Sequence, residues 1–205
     1  MAVATEHFQA DGYSKTTMAD LATRSGTSVG LLYYHFQSKE DLFFAVWSEY
    51  QDDQESRVRA ALRAARASGI DDPVELLIIS VRGYLEGAWH HRARYWMVHA
   101  RDLPLRLVEA RRNSGDRWKQ RNAKALASSN PMLSRVMMAT VVGFLTEVSL
   151  EVVKCTNDDE ANAVIDEAMS LLGSVMATFV DIRDRERITA PARRHPPSPP
   201  RRRPR

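Results

Sequence analysis

Apolar residues recur at helical spacing along most of this 205-residue chain. Between residues 38 and 188 the sequence shows neither the apolar–polar alternation of strands nor the Asn-Gly turn of hairpins. A cap residue followed by proline begins two of the helices, at Asp72-Pro73 and Asn130-Pro131. The pattern therefore predicts an all-α fold, with helices in this region that begin near residues 38, 73, 92, 104, 132 and 158.

Residues 16–39 predict two short helices joined by a tight turn. The hydroxyl of Thr17 can cap the first helix, and Gly26 can adopt the left-handed conformation that ends a helix. Thr27 or Ser28 then offers a hydroxyl to cap the second helix. This layout is typical of a helix-turn-helix.

The second helix of this pair packs with one face on the first helix and leaves its other faces free. Leu32 and Phe36 lie four residues apart, so they share the face that packs on the first helix. Helix-turn-helix proteins place the second helix in the major groove of DNA. A third helix that begins at Ser38 completes an N-terminal domain of residues 1–47. Lys39 lies in the first turn of that helix, where its charge is suited to a nearby phosphate. The residues left on the other faces of the second helix are Val29, Gly30, Leu31, Tyr33, Tyr34 and His35.

The run from Phe8 to Leu42 resembles the DNA-binding domain of the TetR/AcrR family of bacterial regulators. The residues that carry the resemblance, at matching spacing, are Phe8, Gly12-Tyr13, Thr16-Thr17, Leu21-Ala22, Gly26, Ser28, Gly30, Leu32-Tyr33-Tyr34-His35-Phe36, Lys39 and Leu42. The resemblance implies contacts with double-stranded DNA in two groups: phosphate contacts from Thr17, Ser28, Tyr33, His35 and Lys39, and base contacts from Val29, Gly30, Leu31 and Tyr34. The alternative is that these side chains only pack a small three-helix domain.

Residues 1–47 depart from the family pattern in two ways. The first helix, predicted for Ala2 to Gln9, is shortened. The domain also carries three basic and five acidic side chains, which is a weak electrostatic footprint for DNA. We therefore expect modest intrinsic affinity, and the alternative function is an interaction protein with a degenerate DNA-binding domain.

Residues 48–187 predict a second helical domain whose last two helices are apolar on more than one face. Because the core of the same chain covers one face, a second copy can cover the other. The resemblance implies a homodimer built on a four-helix bundle, and a two-fold dimer presents two recognition helices to a palindromic operator. The predicted interface residues are Val136, Thr140, Gly143, Val164, Ala168, Leu172 and Val175.

Residues 84–99 concentrate aromatic and histidine side chains, and the resemblance implies an effector cavity in this domain. Residues 82–124 carry eleven basic and four acidic side chains, which favours either a solvated basic face or an anionic effector such as a carboxylate or an acyl-coenzyme A. The effector is thus predicted to be an apolar or anionic small molecule. The predicted lining is Tyr84, Trp89, Tyr95, Trp96, His99 and Phe144, and the alternative is that most of these aromatic side chains are ordinary core.

Neither a metal nor a catalytic signature stands out in the sequence. His90, His91 and His99 lack a carboxylate or cysteine partner at ligand spacing. No nucleophile elbow or phosphate-binding loop is present. We therefore predict no metal, no cofactor and no enzyme activity, and instead a ligand-responsive repressor that releases its operator when the effector binds.

The formal net charge of +3 comes from one segment. Residues 188–205 carry six arginines and no acid. This Pro- and Arg-rich tail is predicted to be disordered. It either attracts DNA non-specifically or has no function. The single cysteine, Cys155, indicates a reducing compartment. Because neither a secretory signal nor an apolar run of membrane length is evident, we predict a cytoplasmic protein without membrane contact.

Overall fold

The computed structural model describes residues 1–99 and 102–189, and these residues form nine helices and no strand. The predicted all-α fold is confirmed, with an N-terminal helix-turn-helix domain followed by a helical domain. The helices are α1 (Ala2–Lys15), α2 (Met18–Ser25), α3 (Val29–His35), α4 (Lys39–Ala67), α5 (Pro73–His90), α6 (Arg92–Val98), α7 (Leu105–Asn122), α8 (Pro131–Lys154) and α9 (Asp158–Thr189).

Side-chain oxygens set the starts of the long helices by accepting hydrogen bonds from first-turn N–H groups. Asp72 Oδ1 accepts from the backbone nitrogens of the second and third residues after it, at 2.8 and 3.0 Å. Asn130 Oδ1 accepts in the same way at 3.0 and 3.4 Å. The start of α9 is capped by Asn157 rather than Asp158, because Asn157 Oδ1 accepts from the nitrogen of Glu160 at 2.9 Å. These local bonds explain why the sequence predicted the helix starts.

The first helix is longer than predicted. Instead of ending near Gln9, α1 continues to Lys15 across an interruption at Gly12, whose φ of 79° favours glycine. The Asp102 carboxylate accepts a hydrogen bond from the Ser14 nitrogen at 2.9 Å. An added Cβ at Gly12 would lie 3.0 Å from that carboxylate. The end of α1 is therefore held by the segment between α6 and α7, a long-range contact that spacing in the sequence could not reveal.

The core consists of two clusters. The first joins α1, α2 and the start of α4 to α6 and α7, and in it the rings of Phe8 and Phe43 meet edge to face with centroids 4.7 Å apart. The second lies between α5, α8 and α9, around Leu85, Val141 and Leu172. The first cluster crosses the boundary predicted at residue 47, because α4 continues through it and because Tyr95 and Leu107 belong to the same cluster.

The two C-terminal helices, α8 and α9, pack on each other and on α5. By length and composition alone, both are long and apolar enough to cross a membrane. No apolar run of that length was expected from the sequence. Only part of each surface is buried in the chain's own core, so each helix keeps an outward face. α9 ends at Thr189, inside the predicted tail, and residues 190–205 lie outside the described residues.

Candidate DNA-binding surface and effector cavity

Two side-chain caps and one left-handed glycine define the ends of the helices in the helix-turn-helix. Thr17 caps α2, since its Oγ1 accepts from the Asp20 nitrogen at 3.1 Å and donates to the Asp20 carboxylate at 2.6 Å. Gly26 ends α2 in the left-handed conformation, with φ 65° and ψ 27°. Ser28, rather than Thr27, caps α3, because its Oγ accepts from the Leu31 nitrogen at 3.1 Å.

The α3 helix keeps its side chains out of the core. None of its residues is buried, and Tyr34 is 82% exposed. Leu32 and the following Phe36 are half-buried and pack against the first core cluster, as predicted. Gly30 has no neighbour closer than 4.0 Å to an added Cβ, so space is open beside it. The other predicted base-facing residues, Val29 and Leu31, are 39% and 48% exposed, which leaves an apolar and aromatic surface free.

Lys39 has a structural role that the sequence did not suggest. Its Nζ donates to the carbonyl oxygen of Tyr13 at 2.7 Å and lies 4.3 Å from the centroid of the Tyr13 ring. The cation thus stabilises the carbonyl end of α1, where the helix dipole is negative. This contact accounts for a lysine in the first turn of α4 without a phosphate, and its predicted phosphate contact stays a prediction.

A cavity of about 820 Å³ lies between α4 and α7, with α5, α6 and α8 completing its wall. This volume lies in the range of small-molecule sites, roughly 300–1,000 Å³. Most of the inner wall is aromatic or aliphatic, while the α4 and α7 sides also carry basic side chains. The inner lining includes Trp47, Tyr50, Gln54, Tyr84, Tyr95, His99 and Leu145, and the basic lining consists of Arg59, Arg111, Arg112, Lys119 and Arg121.

The polar groups of the inner wall are neutral at physiological pH. Burial raises the pKa of Tyr50, Tyr84 and Tyr95 above the ordinary value for tyrosine. The His99 ring stacks on Tyr95 with centroids 3.9 Å apart, and its Nδ1 lies 2.8 Å from the Tyr95 carbonyl oxygen. Burial, assisted by the positive charge of Arg111, lowers the pKa of His99 to about 4. An uncharged imidazole therefore faces the cavity.

The basic side chains around the cavity differ in how they are paired. Glu55 lies 2.9 Å from Arg59 and 3.8 Å from Arg121, so one carboxylate serves two cations. Arg111 is half-buried, and neither it nor the exposed Arg112 forms an ion pair with any residue in 1–99 or 102–189. Such a guanidinium at the wall of an apolar cavity is suited to a carboxylate or phosphate group.

Residues 1–46 match the family model described as bacterial regulatory proteins, tetR family. The crystal structure of a TetR-like transcriptional regulator from Rhodococcus sp. RHA1 shares the fold with a TM-score of 0.66. It is 25% identical, and the match covers 86% of this chain and 92% of that chain. The N-terminal domain therefore belongs to the tetR family, and the chain shares the fold of TetR-like regulators.

Two further comparisons show how far this similarity extends. The HTH-type transcriptional activator FasR of Mycolicibacterium smegmatis is 32% identical over 99 residues, 48% of this chain and 43% of that protein. The match therefore spans less than half the length of such curated relatives. The crystal structure of AibR in complex with isovaleryl coenzyme A and operator DNA has the same fold. Its TM-score is 0.59 at 19% identity, and the match covers 83% of this chain and 95% of that one.

Half of the predicted effector residues line the cavity. Tyr84, Tyr95 and His99 do so, whereas Trp89, Trp96 and Phe144 do not. Trp89 is buried, with its Nε1 donating to Asp158 at 2.8 Å, so it ties α5 to the start of α9. Phe144 is half-buried against the second core cluster, and Trp96 is 39% exposed away from the cavity. The prediction was wrong for these three because neighbouring positions on a helix face different directions.

The sequence reasoning missed the contributions of α4 and α7 to the cavity. Trp47, Tyr50 and Gln54 lie three and four residues apart and so share one face of α4. This spacing was a usable signal, although nothing local distinguishes a cavity wall from core. Arg111 and Trp118 on α7 complete the opposite side.

The predicted interface residues on α8 are exposed, whereas two of those on α9 are buried in the chain's own core. Val136 is 61% exposed, and Thr140 and Gly143 are exposed on the same helix. Ala168 and Leu172 are buried in the protomer's own core, with 9% and 1% exposure, so they are not available to a partner. Val164 and Val175 are half-buried against that core. The outward apolar residues of α9 are instead Leu171 and Ile182, 60% and 41% exposed.

Within the described part of the chain, no three His, Cys, Asp or Glu side chains are grouped closely enough to hold a metal ion. The three histidines considered as metal ligands lie in two different places. His90 and His91 form an edge-to-face ring contact of 4.7 Å at the end of α5, and His99 faces the cavity.

Proposed function

We propose that this protein is a ligand-responsive repressor of the TetR/AcrR family that binds a palindromic operator as a homodimer and releases it when a small molecule fills the cavity. The observation that carries the proposal is the cavity of about 820 Å³ with Arg111 at its wall, a guanidinium that forms no ion pair with the side chains that the structure describes. A cavity of this size, lined by aromatic residues and a few polar groups, is the usual form of a small-molecule site. Such a DNA-binding regulator would act in the cytoplasm.

The exposed surface of α3 supports the DNA-binding part of the proposal. Tyr34, Leu31 and Val29 are exposed although they are apolar or aromatic, and free space beside Gly30 permits close approach of a base edge. In this proposal they meet bases, and Tyr33, His35, Thr17, Ser28 and Lys39 meet phosphates. Phosphate contacts fix the register, whereas the base contacts select the sequence.

The outward faces of α8 and α9 support the homodimer. Met132 and Val136 on α8 and Leu171 on α9 are each at least 60% exposed. Exposed apolar side chains on adjacent helices are characteristic of a surface that is covered in the assembly. Packing of two such helix pairs about a two-fold axis would produce a four-helix bundle and cover the apolar face without a membrane.

We infer an effector that is amphipathic and anionic. The apolar wall suits a hydrocarbon portion, and the guanidinium groups of Arg111 and Arg112 suit a carboxylate or a phosphate, including the phosphates of an acyl-coenzyme A. AibR, a protein of the same fold, was solved with isovaleryl coenzyme A, a ligand of this kind.

The link between effector and DNA runs through α7 and the segment before it. Arg106, on the helix that carries Arg111, donates to the Asp41 carboxylate at the start of α4 at 2.7 Å. Asp102 holds the Ser14 nitrogen of α1. An effector that moves α7 would therefore change both contacts with the DNA-binding domain, and its binding energy would be coupled to DNA affinity by linkage.

Fluorescence anisotropy with labelled DNA from upstream of its own gene tests the proposal. We expect salt-dependent binding by a dimer, and release when decanoate or decanoyl-coenzyme A is added. The variant Arg106→Gln should keep DNA affinity within about threefold, since an exposed ion pair contributes little stability, and should reduce the release by effector. Absence of binding to any upstream fragment would favour an interaction protein with a degenerate DNA-binding domain.

The sign of regulation needs a separate assay, because FasR is described as an activator. Transcription in vitro from the bound promoter should fall when the protein is added and recover with effector. A rise in transcription on adding the protein would show that it is an activator.

A further inference from the structure

The inner wall of the cavity contains a buried amide with an unsatisfied oxygen. Gln54 is 3% exposed, and its Nε2 donates to the Tyr50 hydroxyl at 3.0 Å. Its Oε1 makes no hydrogen bond with any described residue. Burial of an unpaired carbonyl oxygen is destabilising, so a group that pairs with it on binding gains affinity. Because Gln54 lines the cavity, that group can belong to the ligand.

A glycine on α5 makes the position of this amide possible. A Cβ added at Gly87 would lie only 1.7 Å from Gln54 Oε1, so the amide occupies the space that a side chain would need. The oxygen is therefore folded back against the α5 backbone, where no N–H of the helix is free to pair with it. For this oxygen to meet a ligand, the terminal amide has to turn about its last bond, which also releases Nε2 from the Tyr50 hydroxyl.

The hydroxyl groups beside Gln54 supply the complementary donor. Tyr50 Oη accepts from Gln54, and the Tyr50 and Tyr84 hydroxyls interact with each other. A tyrosine hydroxyl has one O–H to donate, so Tyr84 can donate to a ligand in the cavity. Tyr84 lines the cavity, so the cluster offers a ligand one acceptor, Gln54 Oε1, and one donor, the Tyr84 hydroxyl.

Arg111 lies on α7, across the cavity from Gln54, and its charge reaches the Tyr84 hydroxyl of this cluster. Its positive charge acts on Tyr84, Tyr95 and His99, which places the guanidinium near these three side chains. A ligand whose anionic group binds Arg111 therefore brings the atoms next to that group towards Gln54 and Tyr84. A hydroxyl at the remote end of a long chain would not be in this position.

We propose that Gln54 and Tyr84 select an effector that carries a hydroxyl close to its anionic group, with the ligand O–H donating to Gln54 Oε1 and the ligand oxygen accepting from Tyr84. This rests on the proposed function, since it refines the class of the anionic effector from simple acids to hydroxy acids. A site built to pair with a hydroxyl discriminates against an analogue that lacks it, because the buried polar groups then stay unpaired.

Isothermal titration calorimetry with decanoate, 3-hydroxydecanoate and 10-hydroxydecanoate tests this. For the native chain we expect 3-hydroxydecanoate to bind about tenfold more tightly than decanoate, and 10-hydroxydecanoate to bind no better than decanoate. The variants Gln54→Met and Tyr84→Phe should each reduce the preference, measured as the ratio of the two affinities within each variant, to less than about threefold.

The matched control is Gln51→Met. Gln51 is another amide on the cavity wall, but its Nε2 donates to Ser114 Oγ at 2.8 Å, so it is already paired. This variant should keep the tenfold preference. DNA binding and the unfolding temperature of each variant establish that it is folded.

The outcomes separate this inference from the proposed function. Equal binding of decanoate and 3-hydroxydecanoate by the native chain, or a preference that survives both Gln54→Met and Tyr84→Phe, would overturn only the assignment of a hydroxyl site. Tighter binding of 10-hydroxydecanoate would overturn its location beside Arg111. Binding of none of the three acids by a folded, DNA-binding protein would overturn the anionic effector and this inference with it.

Discussion

The α3 surface and the effector cavity are built in opposite ways. The α3 surface comes from about twenty consecutive residues whose caps and turn are set by local hydrogen bonds, and its side chains stay exposed. The cavity is assembled from five helices that span residues 47 to 146, and its inner polar groups are buried. A substitution on α3 should therefore change DNA binding without changing stability, whereas a substitution in the cavity wall should change both ligand binding and stability.

The largest expected effect comes from Tyr34→Ala on α3. Loss of a base contact costs about 1–3 kcal/mol per site, and a dimer loses it twice, so operator affinity should fall about 100-fold. Because Tyr34 is 82% exposed, the unfolding temperature should change by less than about 2 °C. Gln37→Ala, also exposed and just beyond α3, serves as the control in the same anisotropy titration. A similar loss of affinity in both variants would argue against base recognition by Tyr34.

Two glycines of α5 test whether a substitution next to the cavity wall changes the stability of the chain. An added Cβ at Gly83 meets ordinary contacts of 3.7 Å, so Gly83→Ala should stabilise the chain by about 0.5–1 kcal/mol through helix propensity. Gly87→Ala should instead destabilise it by about 1–2 kcal/mol, because the Gln54 amide must move into the cavity. Urea unfolding of both variants measures the difference, and equal stabilities would mean that the Gln54 amide does not need the space beside Gly87.

Arg111→Met separates ligand binding from DNA binding within the cavity wall. Removal of a charge-assisted hydrogen bond in a half-buried site should weaken decanoate binding about tenfold. Arg112→Met is the matched control, and because Arg112 is exposed its effect should be below about threefold. Calorimetry compares the two, and an equal loss in both variants would indicate a diffuse basic face in place of a specific anion site.

The smallest expected effect is a pH dependence that originates in His99. Its pKa in the folded chain is about 4, below the ordinary value of 6.5, so the unfolded chain binds more protons between these values. The stability that His99 contributes is therefore present above pH 6.5 and is lost as the pH falls towards 4. Allowing for partial exposure, unfolding free energy should fall by about 1 kcal/mol more for the native chain than for His99→Phe between pH 7 and pH 5. Identical pH profiles from urea titrations would show that His99 is not held neutral by burial.

The same contrast explains how much the sequence could predict. Thr17, Gly26 and Ser28 act on residues within four positions, so their roles could be read from spacing alone. The contact of Lys39 with the carbonyl of Tyr13 could not be read in this way, because Tyr13 lies 26 residues away along the chain. Long-range contacts of this kind are not encoded in any local pattern.

The residues of the cavity wall and of the outward faces could be predicted only in part, for a related reason. Aromatic content near residues 84–99 indicated the correct region, but only the direction of each side chain separates Tyr84, which lines the cavity, from Trp89, which does not. Helix α9 has two apolar faces, and the periodicity of the sequence does not show which of them packs in the core of the chain. Leu172 belongs to the core and Leu171, the next residue, faces outward.

The continuity of α4 limits how this protein can evolve. One helix of 29 residues carries Phe43, which packs against the first helix of the DNA-binding domain, and Tyr50 and Gln54, which line the cavity. At 1.5 Å per residue, Gln54 lies only about 22 Å from Lys39 along the same rod, so a tilt of about 5° at one end displaces the other by about 2 Å. Mutations that adapt the cavity to a new ligand therefore also alter the support of the recognition helix. Ligand preference and operator preference cannot drift independently, and natural variants of this chain should show paired changes on α4 and at the contacts made by Asp41 and Lys39.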